Sequence, residues 1–181
     1  VGSQGTSSND PPVDAWRTVT LDETFNLMHR SYENDPGLGG NAKCVSVKLL
    51  DKNDEDRTAK SKMSFLNAEM SGLTEKTVCV KVPQSDGSTG GDIIQMYDGD
   101  NCDGDATQVR FVFSDYGNCD VTVVGKGETK CELWVNADAV ASEGNANIAK
   151  CEAEYNKQCQ GQNKYEIYDK ATCGSLAKES K

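Results

Sequence analysis

Apolar and polar residues alternate with a period of two over much of the chain beyond residue 43. Val45, Val47 and Leu49, for example, alternate with more polar neighbours, a pattern typical of a half-buried β-strand. Polar turn clusters, such as residues 51–56 and 98–101, separate such stretches. The pattern predicts eight strands, over residues 24–32, 43–50, 59–69, 74–82, 92–97, 107–113, 118–124 and 130–135.

A few segments depart from this pattern. Asp10-Pro11-Pro12 predicts a helix start, followed by a short helix over residues 16–19. Residues 142–159 are interpreted as one helix that begins at Ser142 or Asn145, and a last strand is predicted over 164–168. Residues 24–32 fit helix or strand, because Thr20 and Glu23 could form a capping box; the strands that follow favour the strand.

Short connections between successive strands favour antiparallel pairing of neighbours, and eight such strands close naturally into a barrel. A two-sheet sandwich is the alternative, but it needs an apolar interior. With 7% aromatic residues and a mean hydropathy of −0.64, the chain favours a barrel with a partly polar interior that holds one small ligand. We expect a disordered tail over residues 1–10, one domain over 11–175 and a tail over 176–181.

The chain has eight cysteines, and none of them forms a C-x-x-C pair. An even number at such spacings predicts four disulfides and an oxidising compartment, so we expect a secreted protein. The polar start of the chain is interpreted as the mature end left by cleavage of a leader. The net charge of −10 disfavours nucleic acid and anionic membranes as partners.

The sequence offers little for catalysis. His29 is the only histidine, and there is no G-x-S-x-G nucleophile motif, so we do not expect an enzyme or a cofactor. Two acidic turns that begin at Asp51 and Asp98 resemble the start of a calcium loop, but they lack its glycine and terminal glutamate. They are interpreted as solvated turns, and no metal is expected.

Acidic and aromatic residues inside one strand carry more information. Alternation places Glu132 and Trp134 on one face and Cys131 and Leu133 on the other. If Cys131 faces the late helix, Glu132 faces the cavity, where an unpaired carboxylate costs several kcal/mol. A cationic ligand would satisfy it, with Trp134 as a cation–π surface. The alternative is a glutamate that is paired inside the protein or exposed at the rim.

The landmarks of the chain occur in a distinctive order. Cys119-Asp120-Val121 is followed after ten residues by Glu132-Leu133-Trp134 and after sixteen more by Cys151. Further landmarks are Asp-Ala-Trp at 14–16, Tyr-Glu-Asn-Asp-Pro at 32–36, Cys-Val at 44–45 and Thr-Glu-Lys at 74–76. This combination resembles tick salivary lipocalins that bind biogenic amines. The resemblance implies a lipocalin barrel with the late helix packed outside it.

The resemblance also implies disulfides and ligand residues. The two disulfides usual in that family would be Cys44–Cys173 and Cys119–Cys151. For the other four cysteines we expect Cys131–Cys159, since the outward face of that strand should meet the helix, and hence Cys79–Cys102, one of three connectivities. One amine pocket of histamine-binding members corresponds here to Tyr32, Asp35, Glu132 and Trp134, with Tyr97 as a further aromatic. A second pocket corresponds to Thr18, Asp22, Glu75 and Asp120.

Two positions depart from that family. Leu38 stands where the second pocket has a tryptophan, and a pocket phenylalanine has no clear match near Thr107, although Phe111 is close. The loss of bulk could admit serotonin beside histamine; the alternative is that one of the two pockets is inactive.

The function implied is therefore a secreted, monomeric salivary protein that sequesters histamine or serotonin and suppresses host inflammation. One alternative is a carrier of a leukotriene or fatty acid, for which Arg110 is the candidate cation. The other is an inhibitor of host immunity that acts through protein contacts.

Overall fold

The computed structural model describes residues 12–83, 91–125, 130–141 and 146–179, and the side chains of 176–179 are left out. The tail predicted over 1–10 and the two candidate helix starts Ser142 and Asn145 lie outside these residues. The described strands are β1 (Phe25–Arg30), β2 (Ser46–Asn53), β3 (Thr58–Leu66), β4 (Leu73–Lys81), β5 (Ile93–Asp98), β6 (Thr107–Ser114), β7 (Cys119–Val124), β8 (Lys130–Asn136) and β9 (Tyr165–Glu166). The described helices are α1 (Ala15–Val19), α2 (Ala137–Ala141), α3 (Ala146–Gln158) and α4 (Lys170–Glu179).

The strands form a closed antiparallel barrel of eight strands, as predicted. Neighbours along the chain pair from β2 through β8, β8 pairs with β1, and β1 returns to β2. The seam between β1 and β2 is short, with only Phe25↔Val47 and Asn26↔Ser46 in register. Beyond a bulge in β1, the ninth strand β9 pairs with His29 and Arg30 instead. A sandwich is excluded because the strand order closes on itself.

The eight predicted strands are present, with boundaries that agree within three residues. The largest differences have local causes. Cys44 has a φ of 61°, a left-handed conformation that a strand does not contain, so β2 begins at Ser46 and not at residue 43. β3 ends at Leu66 and not at residue 69, because the side-chain oxygen of Asn67 accepts a hydrogen bond from the Ser71 amide and starts a turn.

Helix α1 lies at one end of the barrel, where Thr18 and Val19 line the internal cavity. Its N-cap is Asp14, whose carboxylate accepts from the Arg17 amide at 3.2 Å. The expected start at residues 10–12 was therefore too early, because Asp14 supplies the capping oxygen and Pro12 precedes the helix. The first residue of the helix, Ala15, is buried.

Two apolar layers flank the barrel wall. The interior cluster includes Leu27, Met63, Val78 and Phe111, and the second cluster lies between the outer face of β7 and β8 and helix α3. Two disulfides, Cys119–Cys151 and Cys131–Cys159, bind α3 to those strands. The late helix therefore packs outside the barrel, as predicted.

The C-terminal region contains more helix than predicted. The backbone of α4 continues from Lys170 to Glu179, into the segment expected as a tail from 176. The disulfide Cys44–Cys173 ties this helix to the residues before β2, and Cys79–Cys102 joins β4 to the loop after β5. All four pairs coincide with the expected ones. Within the described residues, no helix has the length and apolar character needed to cross a membrane.

Candidate functional site

The interior of the barrel holds a cavity of about 430 Å³. This volume lies in the usual range for small-molecule sites, which is roughly 300–1,000 Å³. Most of its wall is apolar because the alternate residues of each strand point inward. The apolar lining from strands β2 to β7 consists of Val47, Leu49, Met63, Val78, Val80, Ile94, Met96, Val109, Phe111 and Val124.

Glu132 is a buried acid on this wall, and its carboxylate accepts three hydrogen bonds. Alternation along β8 turns Glu132 and Trp134 towards the cavity, while Cys131 and Leu133 contact the layer under α3. The Glu132 carboxylate accepts from Thr122 Oγ1 at 3.0 Å, from Trp134 Nε1 at 3.1 Å and from the Tyr32 hydroxyl. Burial raises the pKa of Glu132, and these three donors oppose the rise.

Tyr32 and Asp35 reach the same place from the loop that follows β1. The Tyr32 hydroxyl donates to Glu132 and lies 3.5 Å from Asp35 Oδ2. Burial, followed by the charges of Glu132 and Asp35, raises the pKa of Tyr32 well above its usual range, so the phenol remains a donor. Asp35 also caps the 3-10 turn Pro36–Leu38 by accepting from the Gly37 amide at 3.1 Å.

Asp120 lines the same cavity one inward position along β7 from Thr122, which faces Glu132 across the sheet. It pairs across the sheet with Trp134, its side chain is 6% exposed, and its Oδ1 has no hydrogen-bond partner among the described residues. Burial raises the pKa of Asp120 to about 7; a hydrogen bond from Ser114 opposes this, and the charge of Asp115 adds to it. A buried carboxylate with a free oxygen is a ready acceptor for a ligand's ammonium group.

Of the other residues expected in the pockets, Thr18 and Tyr97 line the cavity. The Thr18 hydroxyl donates to the Ala15 carbonyl at 2.7 Å, so its proton is already used inside α1. Tyr97 donates to Gln95 Oε1 at 3.2 Å. Leu38, which stands where the resembled family has a tryptophan, also lines the cavity, and so do Thr107 and the nearby Phe111.

Asp22 and Glu75 lie away from the cavity. Asp22 is 87% exposed in the turn before β1, and Lys48 is its ion-pair partner at 3.9 Å. Glu75 is 55% exposed and pairs with Lys62 at 3.1 Å, because the alternation of β4 turns the next residue, Lys76, inward. The structure therefore brings seven of the nine predicted ligand residues to one cavity and leaves these two outside it.

Two lysines at the mouth of the cavity were not predicted from the sequence. Lys76 donates to the Gly37 carbonyl at 2.7 Å and pairs with Asp98 at 2.8 Å. Lys130 Nζ lies 5.7 Å from the centre of the Tyr32 ring. Lys130 could have been found from the sequence, since it is two residues before Glu132 and shares its face.

Three other candidates lie outside the cavity. Arg110, proposed as a partner for a lipid carboxylate, is 54% exposed and lies 3.8 Å from Asp92. His29 Nε2 lies 2.6 Å from Glu152 on helix α3. The acidic turn after β2 is organised by Asn53, whose side-chain oxygen accepts from the amides of Glu55 and Asp56.

The closed eight-stranded antiparallel barrel with its ligand-sized cavity matches the lipocalin fold. Insecticyanin from the tobacco hornworm Manduca sexta has a similar structure, at a TM-score of 0.62, 10% identity and coverage of 93% of this chain and 89% of that one. The family model "Tick histamine binding protein" matches residues 4–175, and the chain belongs to that family.

Two further solved structures share the fold. One is a serotonin complex of AM182, at a TM-score of 0.63, with 18% identity and coverage of 93% of this chain and 97% of that one. The other is the tryptamine complex of the amine-binding protein of Rhodnius prolixus, at a TM-score of 0.56, 16% identity and coverage of 96% and 95%. At these identities the likeness concerns the fold alone.

Proposed function

We propose that this protein is a secreted carrier that sequesters a small biogenic amine, histamine or serotonin, inside its barrel and releases it unchanged. The observation that carries the proposal is the charge balance of an otherwise apolar cavity. Two basic side chains, Lys76 and Lys130, line it at the mouth. Six acidic side chains line it: Glu23, Asp35, Asp98, Asp105, Asp120 and Glu132.

The three carboxylates that face the ligand space favour a cation. Among the ion pairs of the described residues, none includes Asp35, Asp120 or Glu132. An ammonium group would lower the desolvation cost of these acids, and the Trp134 indole beside them offers a cation–π surface. The remaining apolar wall fits an imidazole or indole ring.

The comparisons support the same ligand class. The matched family is described by histamine binding, and two proteins of this fold have been solved with serotonin and tryptamine. Leu38 in the cavity wall leaves more room than a tryptophan would, which supports an indole amine as well as histamine. Four disulfides support export to an oxidising compartment, and removal of host amines in tick saliva would suppress inflammation.

A lipid mediator is the second candidate, and the geometry gives it little support. It would need a free cation inside the barrel for its carboxylate. Arg110 is outside, and Lys76 is occupied by Asp98 and the Gly37 carbonyl. Among the described residues, Lys130 at the mouth is the one feature that favours an anion.

Isothermal titration calorimetry with histamine and with serotonin at pH 8 tests the proposal. We expect saturable binding of one or two amines to the wild type, a loss of affinity in Glu132→Gln and Asp120→Asn, and no change in Arg110→Met. Chromatography should recover the amine unchanged after long incubation. Absence of saturable binding for both amines, or binding of a fatty acid in their place, would overturn the proposal.

A further inference from the structure

Arg30, the last residue of β1, is a buried cation that the ligand site does not use directly. Its side chain is 0% exposed, and it belongs to none of the ion pairs found among the described residues. Its guanidinium donates instead to three backbone carbonyls: Nε to Tyr32 at 2.9 Å, and Nη2 to Glu33 at 2.8 Å and to Gly40 at 3.0 Å. Backbone carbonyl oxygens, and not a carboxylate, therefore surround the guanidinium charge.

These carbonyls belong to the two arms of the loop over residues 31–40. The arms are joined at Asp35 and Gly40, whose amides and carbonyls bond to each other at 2.9 and 2.8 Å. Gly39 makes the sharp return with a φ of 82°, where a side chain would meet the Phe65 ring at 2.6 Å. The loop thus has one compact conformation, with Arg30 between its arms.

The same loop carries two residues of the candidate site. Tyr32 stacks on the guanidinium, with 5.1 Å between the Arg30 Cζ and the ring centre, and its hydroxyl reaches Glu132. Asp35 presents its carboxylate beside that hydroxyl. A shift of the loop backbone would move both groups together.

An apolar residue would fill this space at lower cost if packing were the only requirement, because a buried charge without a carboxylate partner is expensive. Only the planar guanidinium fork can bond both arms at once, since a lysine ammonium is shorter and lacks that geometry. Arg30 Nη1 has no partner in the described part of the chain, so the charge is not fully compensated. The buried Arg30 therefore holds the loop over residues 31–40 in one conformation, at a cost to the stability of the folded protein.

We propose that Arg30 is a positioning residue for amine binding: it fixes the loop over residues 31–40 so that the Tyr32 hydroxyl and the Asp35 carboxylate meet the ligand. Arg30 does not line the cavity, so it acts through those two groups. The inference rests on the proposed amine-binding function.

The test is a double-mutant cycle on serotonin affinity, measured by calorimetry at pH 8. We expect Arg30→Met to weaken binding about tenfold and Arg30→Lys to weaken it less. In a Tyr32→Phe/Asp35→Asn background, Arg30→Met should change affinity by less than about twofold, since the groups that it positions are already gone. Hydrogen exchange at the Asp35 and Gly40 amides should quicken in Arg30→Met. Arg110→Met, which removes an exposed arginine, is the matched control.

A second variant covers the case in which Arg30→Met does not fold. Lys76→Met frees the same loop at Gly37 and removes a positive charge from the cavity, which by electrostatics alone would strengthen cation binding. A weaker affinity in this variant supports loop positioning, and a stronger one counts against it. Unchanged affinity in Arg30→Met, or an equal loss in both backgrounds, overturns the inference. If the wild type binds no amine, it is the proposed function that fails.

Discussion

Replacement of Asp120 by asparagine should change stability and amine binding in opposite directions. Asp120 is a buried carboxylate with one oxygen that has no partner among the described residues, so the folded protein bears a cost whenever it is ionised. Asparagine has nearly the same shape and removes that cost. It also removes the charge that we propose attracts the ligand's ammonium.

The magnitude follows from the pKa. Between the ordinary value of 3.8 and the folded value of about 7, at 1.36 kcal/mol per pH unit, ionisation of Asp120 costs about 4 kcal/mol of stability. The buried asparagine amide, which remains partly without hydrogen bonds, itself costs about 1–3 kcal/mol and offsets that part of the gain. We therefore expect the free energy of unfolding of Asp120→Asn to exceed that of the wild type by about 1–3 kcal/mol at pH 8.

The direction of the Asp120 pKa shift determines how stability depends on pH. Because the folded pKa is raised, the folded protein binds more protons than the unfolded chain between pH 3.8 and about 7. The wild type therefore loses stability as the pH rises through this window. The advantage of the asparagine variant should be full at pH 8 and should be lost near pH 4, where its remaining amide cost leaves it equal to the wild type or slightly less stable.

Urea denaturation with the disulfides intact, at pH 4, 6 and 8, measures the first effect, and serotonin titration at pH 8 measures the second. Asp22→Asn is the control, since Asp22 is exposed and should change neither quantity. An equal loss of stability at pH 4 and pH 8 would show that Asp120 is already satisfied inside the protein. A gain in stability with unchanged affinity would mean that the amine binds elsewhere in the cavity.

Four further results are expected. Amine affinity of the wild type should fall as the pH is lowered from 8 to 5, by up to about tenfold per pH unit, because protonation of Asp120 competes with the ligand; titration calorimetry across this range checks it. Glu132→Gln should weaken amine binding by about 10- to 100-fold while urea midpoints change little, since the amide oxygen can still accept from Thr122 and Trp134 and the amide nitrogen can donate to the Tyr32 hydroxyl, but the charge is lost. Removal of the Cys131–Cys159 disulfide, whose cysteines are 28 residues apart, should cost about 3–4 kcal/mol of unfolding free energy and leave amine affinity unchanged, because α3 lies outside the barrel. Burial alone would raise the pKa of Glu152, but its basic neighbours outweigh it and hold the pKa below the usual value, so Glu152→Gln should lower stability by about 1 kcal/mol in urea at pH 7 and have no effect near pH 2.

The strands and two residues of the site, Glu132 and Trp134, were predictable because they follow local rules, whereas the other predicted site residues came from the family resemblance. Alternation along β8 places Glu132 and Trp134 on one face, and the contact of Cys131 with the late helix makes that face the inner one. The same rule would have excluded Glu75, since the apolar Val78 and Val80 fix the inward face of β4 as that of Lys76. There the resemblance to a family outweighed the pattern and gave the wrong face for this chain.

The remaining features depend on contacts between distant parts of the chain. The burial of Arg30 follows from a loop that folds back over it, and a charged residue at a strand end gives no such signal. Helix α4 is held by the disulfide from Cys173 to Cys44, 129 residues away in sequence, and its own sequence is a weak helix former. The short helix α1 is fixed by the Asp14 cap and by burial of Ala15 against the barrel.

The closure of the barrel is uneven, which has a consequence for its durability. Most neighbouring strands share four or more residue pairs, whereas β1 and β2 share two before β9 takes over the edge of β1. Local unfolding begins where few hydrogen bonds must break, so the barrel should open first at the seam between β1 and β2. The disulfide at Cys44 lies directly beside it, and the Cys44 amide donates to the Ile167 carbonyl just after β9. The cross-link thus reinforces the seam of the barrel wall that has the fewest strand-pairing contacts.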